Sequence, residues 1–139
     1  MTQRATLKKS EILRLKNDID ELFKEGKSVK ALPLKILYQA LPPDTTKPKV
    51  QAMFIVSKRT LKSAARRNRI KRCMREAYRH LKADLLTALS QRCPFVHHLR
   101  LALLFQSAST ETVSTKQMKM ALNKGIEKVV ERLSHEQIS

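Results

Sequence analysis

The chain has no tryptophan, only two tyrosines and four phenylalanines, and just two cysteines among its 139 residues. With so few aromatics, a core must be built from aliphatic side chains, and 139 residues are enough for one modest domain. Cys73 and Cys93 lie too far apart for any metal-ligand spacing and read as reduced, structural thiols. The opening MTQRATLKKS lacks the apolar stretch of a secretory signal. No apolar run approaches the roughly eighteen residues of a membrane span. The expectation is a soluble, cytoplasmic protein.

Acids are scarce as well: 12 Asp and Glu stand against 29 Lys and Arg, for a net charge of +17 and a pI near 10.4. Such a balance points to a polyanionic partner. It also weighs against a protein-borne nuclease site, which needs clustered carboxylates for metal or a positioned histidine base. Between Leu34 and Arg75 the only acid is Asp44, in a proline-rich loop. Asp18 and Asp20 are two apart on a helix and do not face each other. Glu21 and Glu25 read as solvated helix residues. His97 and His98 with Cys93 hint at a ligand cluster, but neighbours on an extended segment point opposite ways. His80 and His135 have no evident partners, and no spacing pairs Ser57 with a histidine as a triad would. No catalytic or metal-binding constellation is expected.

What the chain has in abundance lies between Ser57 and Lys82. That stretch holds eleven Lys or Arg against Glu76 alone, and so supplies +10 of the net +17. At about 100° per residue, Ile70, Cys73, Met74, Ala77, Tyr78 and Leu81 fall on one arc of a helix. Arg66, Arg69, Arg72, Arg75 and Arg79 form a stripe along the opposite side, with Asn68 among them and Arg67 and Lys71 on the flank. A solvated basic face is the ordinary reading of a charge run. Here seven of the eleven are arginine, the run is almost unscreened, and an apolar arc backs it. Repulsion between like charges at i,i+4 is relieved when phosphates fill the spaces between them and release counterions. Nucleic-acid binding is the expected use. Asn68 has two open roles, a hydrogen bond to a phosphate or 2′-hydroxyl and a cap for the helix or its preceding turn.

Along the chain, residues 1–9 read as a loose basic N-terminus, residues 10–134 as the domain and 135–139 as a tail. From about Ser10, Ile12, Leu15, Ile19, Leu22 and Phe23 recur at threes and fours, a helix that Gly26 ends. Ser28 to Pro33 reads as a connector. Leu34 to Ala40 is a strand with Lys35 and Gln39 on a wetter face and Leu37 as an exception between them. Pro42 to Pro48 is a loop, taken as a hairpin connection, before a strand over Val50 to Val56. A basic turn, Ser57 to Ser63, leads into the arginine helix from about Ala64, whose pattern runs on to Leu85, Leu86 and Leu89. Pro94 punctuates Ser90 to His98. Leu99 to Phe105 is an apolar strand buried on both faces, and Ser107 to Thr112 is a polar loop. Ser114 or Thr115 caps a last helix carrying Met118, Leu122, Ile126, Val129, Val130 and Leu133, with Gly125 costing about 1 kcal/mol relative to alanine. The order α-β-β-α-β-α gives an α+β domain in two layers.

Val56-Ser57-Lys58-Arg59, the short basic loop, Arg67-Asn68-Arg69-Ile70-Lys71-Arg72 and Arg75-Glu76-Ala77-Tyr78-Arg79 resemble the signature of the bacterial ribonuclease P protein subunit. The opening is similar too, Leu13 to Gly26 matching a Leu- and Lys-rich start that leads into Phe-Lys-x-Gly. Ile19 departs from it, standing where many members carry an aromatic. The loop from Lys58 to Arg67 is one residue longer than in many members and lacks their glycine. The segment 83–98 replaces the family's short glycine-containing lead.

The resemblance implies a four-stranded sheet and a left-handed crossover, the hand opposite to the general rule. It implies a non-catalytic subunit whose RNA partner hydrolyses the 5′ leader from precursor tRNA, with Mg2+ held mainly by that RNA and the substrate. The protein would be monomeric, one per catalytic RNA, and bound to no membrane. RNA contacts are expected at Lys58, Arg59, Arg67, Asn68, Arg69, Lys71, Arg72 and Arg75, extended along the basic run by Lys62, Arg66 and Arg79. Leader contacts are expected at Phe23, Ile36 and Tyr38, on the sheet beside the first helix, where an aromatic stacks an unpaired base. A ribosomal-type RNA binder would share the charge without promoting cleavage. A membrane-surface protein would need its apolar arc free for lipid, and this arc is the width of a core helix.

Overall fold

The computed structural model of the chain describes residues 7–107 and 113–136. Among them, a single 3-10 turn (Lys9–Glu11) precedes helix α1 (Lys16–Glu25) and strands β1 (Lys27–Ala31), β2 (Leu34–Leu41) and β3 (Val50–Ile55). The long helix α2 (Ala64–Arg92), strand β4 (His98–Phe105) and helix α3 (Thr115–Glu136) complete the order. The strands form one mixed sheet, β1-β2-β4-β3, in which only the β3–β4 pairing is parallel. The α+β class and the four strands agree with expectation. No described helix is long and apolar enough to cross a membrane.

Three local expectations are corrected. Ser28 to Pro33 is not a connector: its first residues lie in β1, which pairs from Lys27 with Tyr38 to Ala31 with Leu34 and turns through Leu32 and Pro33. Only Val29 and Ala31 face the core, too few to stand out as a period of two. The loop after Pro42 is not a hairpin either, because β4 lies between β2 and β3 and the connection must pass across it. The first helix starts at Lys16 rather than near Ser10. Ile12 instead bridges Ala52, and the Leu13 amide donates to the Ala52 carbonyl at 2.9 Å, so the incoming chain covers the open edge of β3.

The sheet has two unlike faces. Leu34, Ile36, Tyr38, Val50, Ala52, Leu99, Leu101, Leu103 and Phe105 join α2 and α3 in the main core, with Met74, Tyr78 and Leu85 from α2 and Met118, Leu122 and Val129 from α3. The other face carries α1 and the segment before it: Leu22 of α1 and Leu13 pack on Ala102 of β4, with Ile19, Leu37, Met53, Ile55 and Leu104 half-buried around them. To the expected two layers the structure thus adds α1, which leaves much of the second face accessible.

The ends of the helices follow from their sequence. Gly26 closes α1, its amide donating to the Leu22 carbonyl at 2.8 Å in a place where a Cβ would strike that same carbonyl. Ser114 caps α3 reciprocally: the Gln117 amide donates to its Oγ at 3.2 Å, and its own amide donates to Gln117 Oε1 at 3.0 Å. Every apolar position expected in α3 is buried. Residues 1–6, most of the polar loop before α3 and the last three residues of the tail lie outside the described residues.

Candidate nucleic-acid interface

The basic surface is built from a turn and the first half of α2. Ser57 closes the turn: the Thr60 amide lies 3.1 Å from both its carbonyl oxygen and its Oγ, and the Leu61 amide donates to the same carbonyl at 3.0 Å. Leu61, 5% exposed, pins the turn to the core while Lys58, Arg59 and Lys62 stay exposed. Ser63 caps the helix, accepting from the Arg66 amide at 3.3 Å. That settles the capping role of Asn68, which sits a turn inside α2 with an exposed side chain and is not the cap.

Arg66, Asn68, Arg69, Arg72 and Arg75 are exposed, and Arg67, Lys71 and Arg79 are half-buried. Arg75 lies over the Phe54 ring, 5.8 Å from its centroid, and Phe54 packs edge-on against Tyr78 at 5.7 Å. A half-buried phenylalanine, backed by the buried Tyr78, thereby holds one guanidinium at the surface. Burial pushes the Tyr78 phenol far up, so that it stays neutral. Arg79 is engaged with Glu76, which also meets His80 at 3.0 Å. The Arg79 guanidinium, then His80, hold the Glu76 carboxyl below its ordinary value.

The first turn of α2 contains no acid. The positive end of the helix dipole therefore coincides with Arg66, Arg67 and Arg69, an arrangement unfavourable in isolation and relieved by a bound anion. Chemically, the surface presents guanidinium and ammonium donors, the groups that pair with phosphate oxygens.

The three residues expected at the leader do not come together. Phe23 is 47% exposed on α1, whereas Ile36 and Tyr38 are 1% and 2% exposed within the core beneath α2 and α3. Base stacking on Tyr38 is corrected by this burial, as is contact with Ile36: both side chains leave the sheet on the side away from α1. The β2 residues on the α1 side are Lys35, Leu37 and Gln39, all half-buried. The signal was the alternation itself, in which Leu37 belonged to the Lys35 and Gln39 face.

A further element of that face escaped the sequence reading. Arg100, buried in the central strand, donates to Asp18 at 3.0 Å and to Gln39 at 3.1 Å and lies 3.6 Å from Glu21. This network ties α1 to the sheet, and an arginine inside an otherwise apolar strand was its visible mark. His97 is exposed and His98 buried, its Nδ1 donating to the Pro48 carbonyl at 3.0 Å, so the two point apart. Cys73 and Cys93 are both free thiols.

A family model described as Ribonuclease P matches residues 7–130, nearly all of this architecture. The chain belongs to the ribonuclease P protein family. Within that family, the ribonuclease P protein component of Chlorobium phaeobacteroides is 43% identical over 104 residues, covering 72% of this chain and 71% of the relative. The component from Porphyromonas gingivalis is 40% identical over 91 residues, 62% of this chain and 66% of the relative. Among solved structures, the ribonuclease P protein of Thermotoga maritima superposes with a TM-score of 0.64 at 23% identity, over 85% of this chain and 96% of that one. The Staphylococcus aureus ribonuclease P protein does so at 0.62 and 18% identity, over 86% and 94%. At those identities the structural likeness speaks for the fold.

Proposed function

We propose that this chain is the protein subunit of ribonuclease P and binds the ribonuclease P RNA through the 57–63 turn and the α2 stripe. The observation that carries the reading is an exposed row of guanidinium groups, free of acid from Lys47 to Arg75, inside the region matched by the family. The RNA carries out the hydrolysis and, with the substrate, holds Mg2+; the protein assists removal of the 5′ leader from precursor tRNA. It acts as a monomer, one per RNA, in the cytoplasm. Supporting the RNA-binding part of this reading, the basic surface offers a row of exposed phosphate ligands. The accessible sheet face beside α1, where Lys35 and Leu37 are half-buried, is where the leader would lie. Its half-buried Leu37, Met53, Ile55 and Leu104 offer bases an apolar surface.

Cleavage of a precursor tRNA at low magnesium by a bacterial ribonuclease P RNA, with and without the chain, tests the proposal. Restored, accurate 5′ cleavage by the RNA, with none by the protein alone, is the expected result. Tight RNA binding that leaves cleavage unchanged would favour a ribosomal-type binder instead.

A further inference from the structure

The guanidinium groups of the stripe are not equivalent. Arg67, in the first turn of α2, folds back toward the turn before it: its Nη1 lies 2.8 Å from the Leu61 carbonyl and 2.8 Å from the Lys62 carbonyl. One terminal nitrogen thus gives its two protons to two successive backbone acceptors, a grip that an arginine fork is shaped to make. Ser57 holds the other end of the same turn through Thr60 and Leu61. Between these two closures stand the exposed Lys58 and Arg59, with Lys62 at the second closure.

We propose that Arg67 is a positioning residue, which orders the 57–63 turn so that Lys58, Arg59 and Lys62 meet the RNA backbone together. This rests on the RNA-binding reading above. A turn with three cations and no acid repels itself and gains entropy by opening, so its cations would otherwise be presented at scattered positions. The Arg67 grip removes that freedom before binding, and the ordering cost no longer subtracts from affinity. Arg67 therefore acts on RNA through three other side chains, whereas a phosphate ligand would act for itself alone.

The two roles differ in the salt dependence of binding to ribonuclease P RNA. Removing three phosphate ligands at once lowers the log–log slope by about 2 to 3, and removing a single one lowers it by about 1 or less. Four chains are compared: wild type, Arg67→Ala, the triple variant Lys58→Ala/Arg59→Ala/Lys62→Ala, and the combination of all four substitutions. Arg67→Ala is expected to lose most of the slope that the triple variant loses, and to add nothing in the triple background. Tryptic cleavage after Lys58, Arg59 and Lys62 in the folded, RNA-free protein should also accelerate in Arg67→Ala. Where the alanine variant fails to fold, Arg67→Met keeps the apolar stem, lacks both donors and carries the same expectations.

A slope change of about 1 or less that recurs undiminished in the triple background would make Arg67 a direct phosphate contact. It would overturn the positioning role and leave RNA binding standing. A triple variant that binds as wild type, or unchanged tryptic cleavage in Arg67→Ala, would overturn it too. A wild-type chain that does not bind the RNA would overturn the function reading itself.

Discussion

Helix α3 crosses the sheet at Gly125, and what alanine would do there can be worked out from the packing. On helix propensity alone, Gly125→Ala should stabilise the fold by about 1 kcal/mol. The added methyl, however, would overlap the Ile36 δ-methyl and sit 3.4 Å from both Ile36 Cγ1 and Ala31 Cβ. Ile36 is 1% exposed within the main core, so its δ-methyl can move only against packed neighbours. Overpacking of this kind costs about 1–3 kcal/mol, so the net expectation is destabilisation by about 1 kcal/mol. Ile36→Val, which removes the δ-methyl, should cost about 1 kcal/mol by itself. In the double variant the alanine methyl fills the space left by the δ-methyl and the helix gain is recovered. Its stability should come within about 0.5 kcal/mol of wild type, for a coupling of roughly 1.5–2 kcal/mol. Urea unfolding followed by circular dichroism reads this as a shift in midpoint at constant slope. If Gly125→Ala alone stabilises by about 1 kcal/mol and the two substitutions add, the close approach of α3 to Ile36 is not the reason for glycine.

Ser63→Ala should cost about 1 kcal/mol through loss of the α2 cap, while Asn68→Ala should leave thermal stability within about 0.5 kcal/mol; the reverse order would return the capping role to Asn68. Asp18→Asn leaves a buried guanidinium short of its nearest carboxylate, 3.0 Å away. With Glu21 still in reach, a loss of about 1–2 kcal/mol is expected in urea unfolding, and no loss would make the network dispensable. The Glu76 carboxyl is held below its ordinary 4.5 when folded, first by Arg79. Its contribution is therefore complete above that value and lost as pH falls through the lower folded one. Glu76→Gln should flatten the fall in unfolding midpoint on the acid side, and an unchanged acid limb would show the contact to be idle. Burial raises the Cys93 thiol, so in the folded protein alkylation at neutral pH should mark Cys73, half-buried, well before Cys93; equal rates would contradict the burial of Cys93.

Helices α2 and α3 were legible because their periodic signal is long. The α2 positions Ile70, Met74, Ala77, Tyr78, Leu85 and Leu89 are all buried, and so are the six expected in α3. β4 was legible as an apolar run from Leu99 to Phe105, interrupted by Arg100 alone, as suits a strand covered on both faces. β1 was not, since an edge strand with two buried side chains differs little from a loop in composition. Its partner supplies the evidence for it, and pairing is a long-range fact. The same limit explains the supposed hairpin. Nothing local to Pro42–Pro48 says that a strand some fifty positions further on inserts between the two it joins. Ile12 misled in another way, because an apolar residue at helical spacing from Leu15 and Ile19 serves equally well as a bridge to Ala52.

The two parts of the candidate site differed for a physical reason. A charge stripe on a helix is fixed by spacing alone: the arc that packs inward dictates the arc left outside, and no distant residue can reverse it. A residue on a strand is assigned to one face or the other by register, where a shift of one position exchanges the faces completely. In this sheet Tyr38 stands opposite Leu101 and Leu37 opposite Ala102. Leu101 lies in the core with α2 and α3, and Ala102 lies under α1 with Leu13 and Leu22. A motif match that groups Tyr38 with Phe23 of α1 therefore joins side chains that do not meet, since Tyr38 leaves the sheet on the side away from α1. The alternation of Lys35, Leu37 and Gln39 already held the correction, because two long polar side chains can share a face with one leucine only where that face is partly open. For strand residues of this chain, the local pattern of alternation decides the face, and a motif match alone does not.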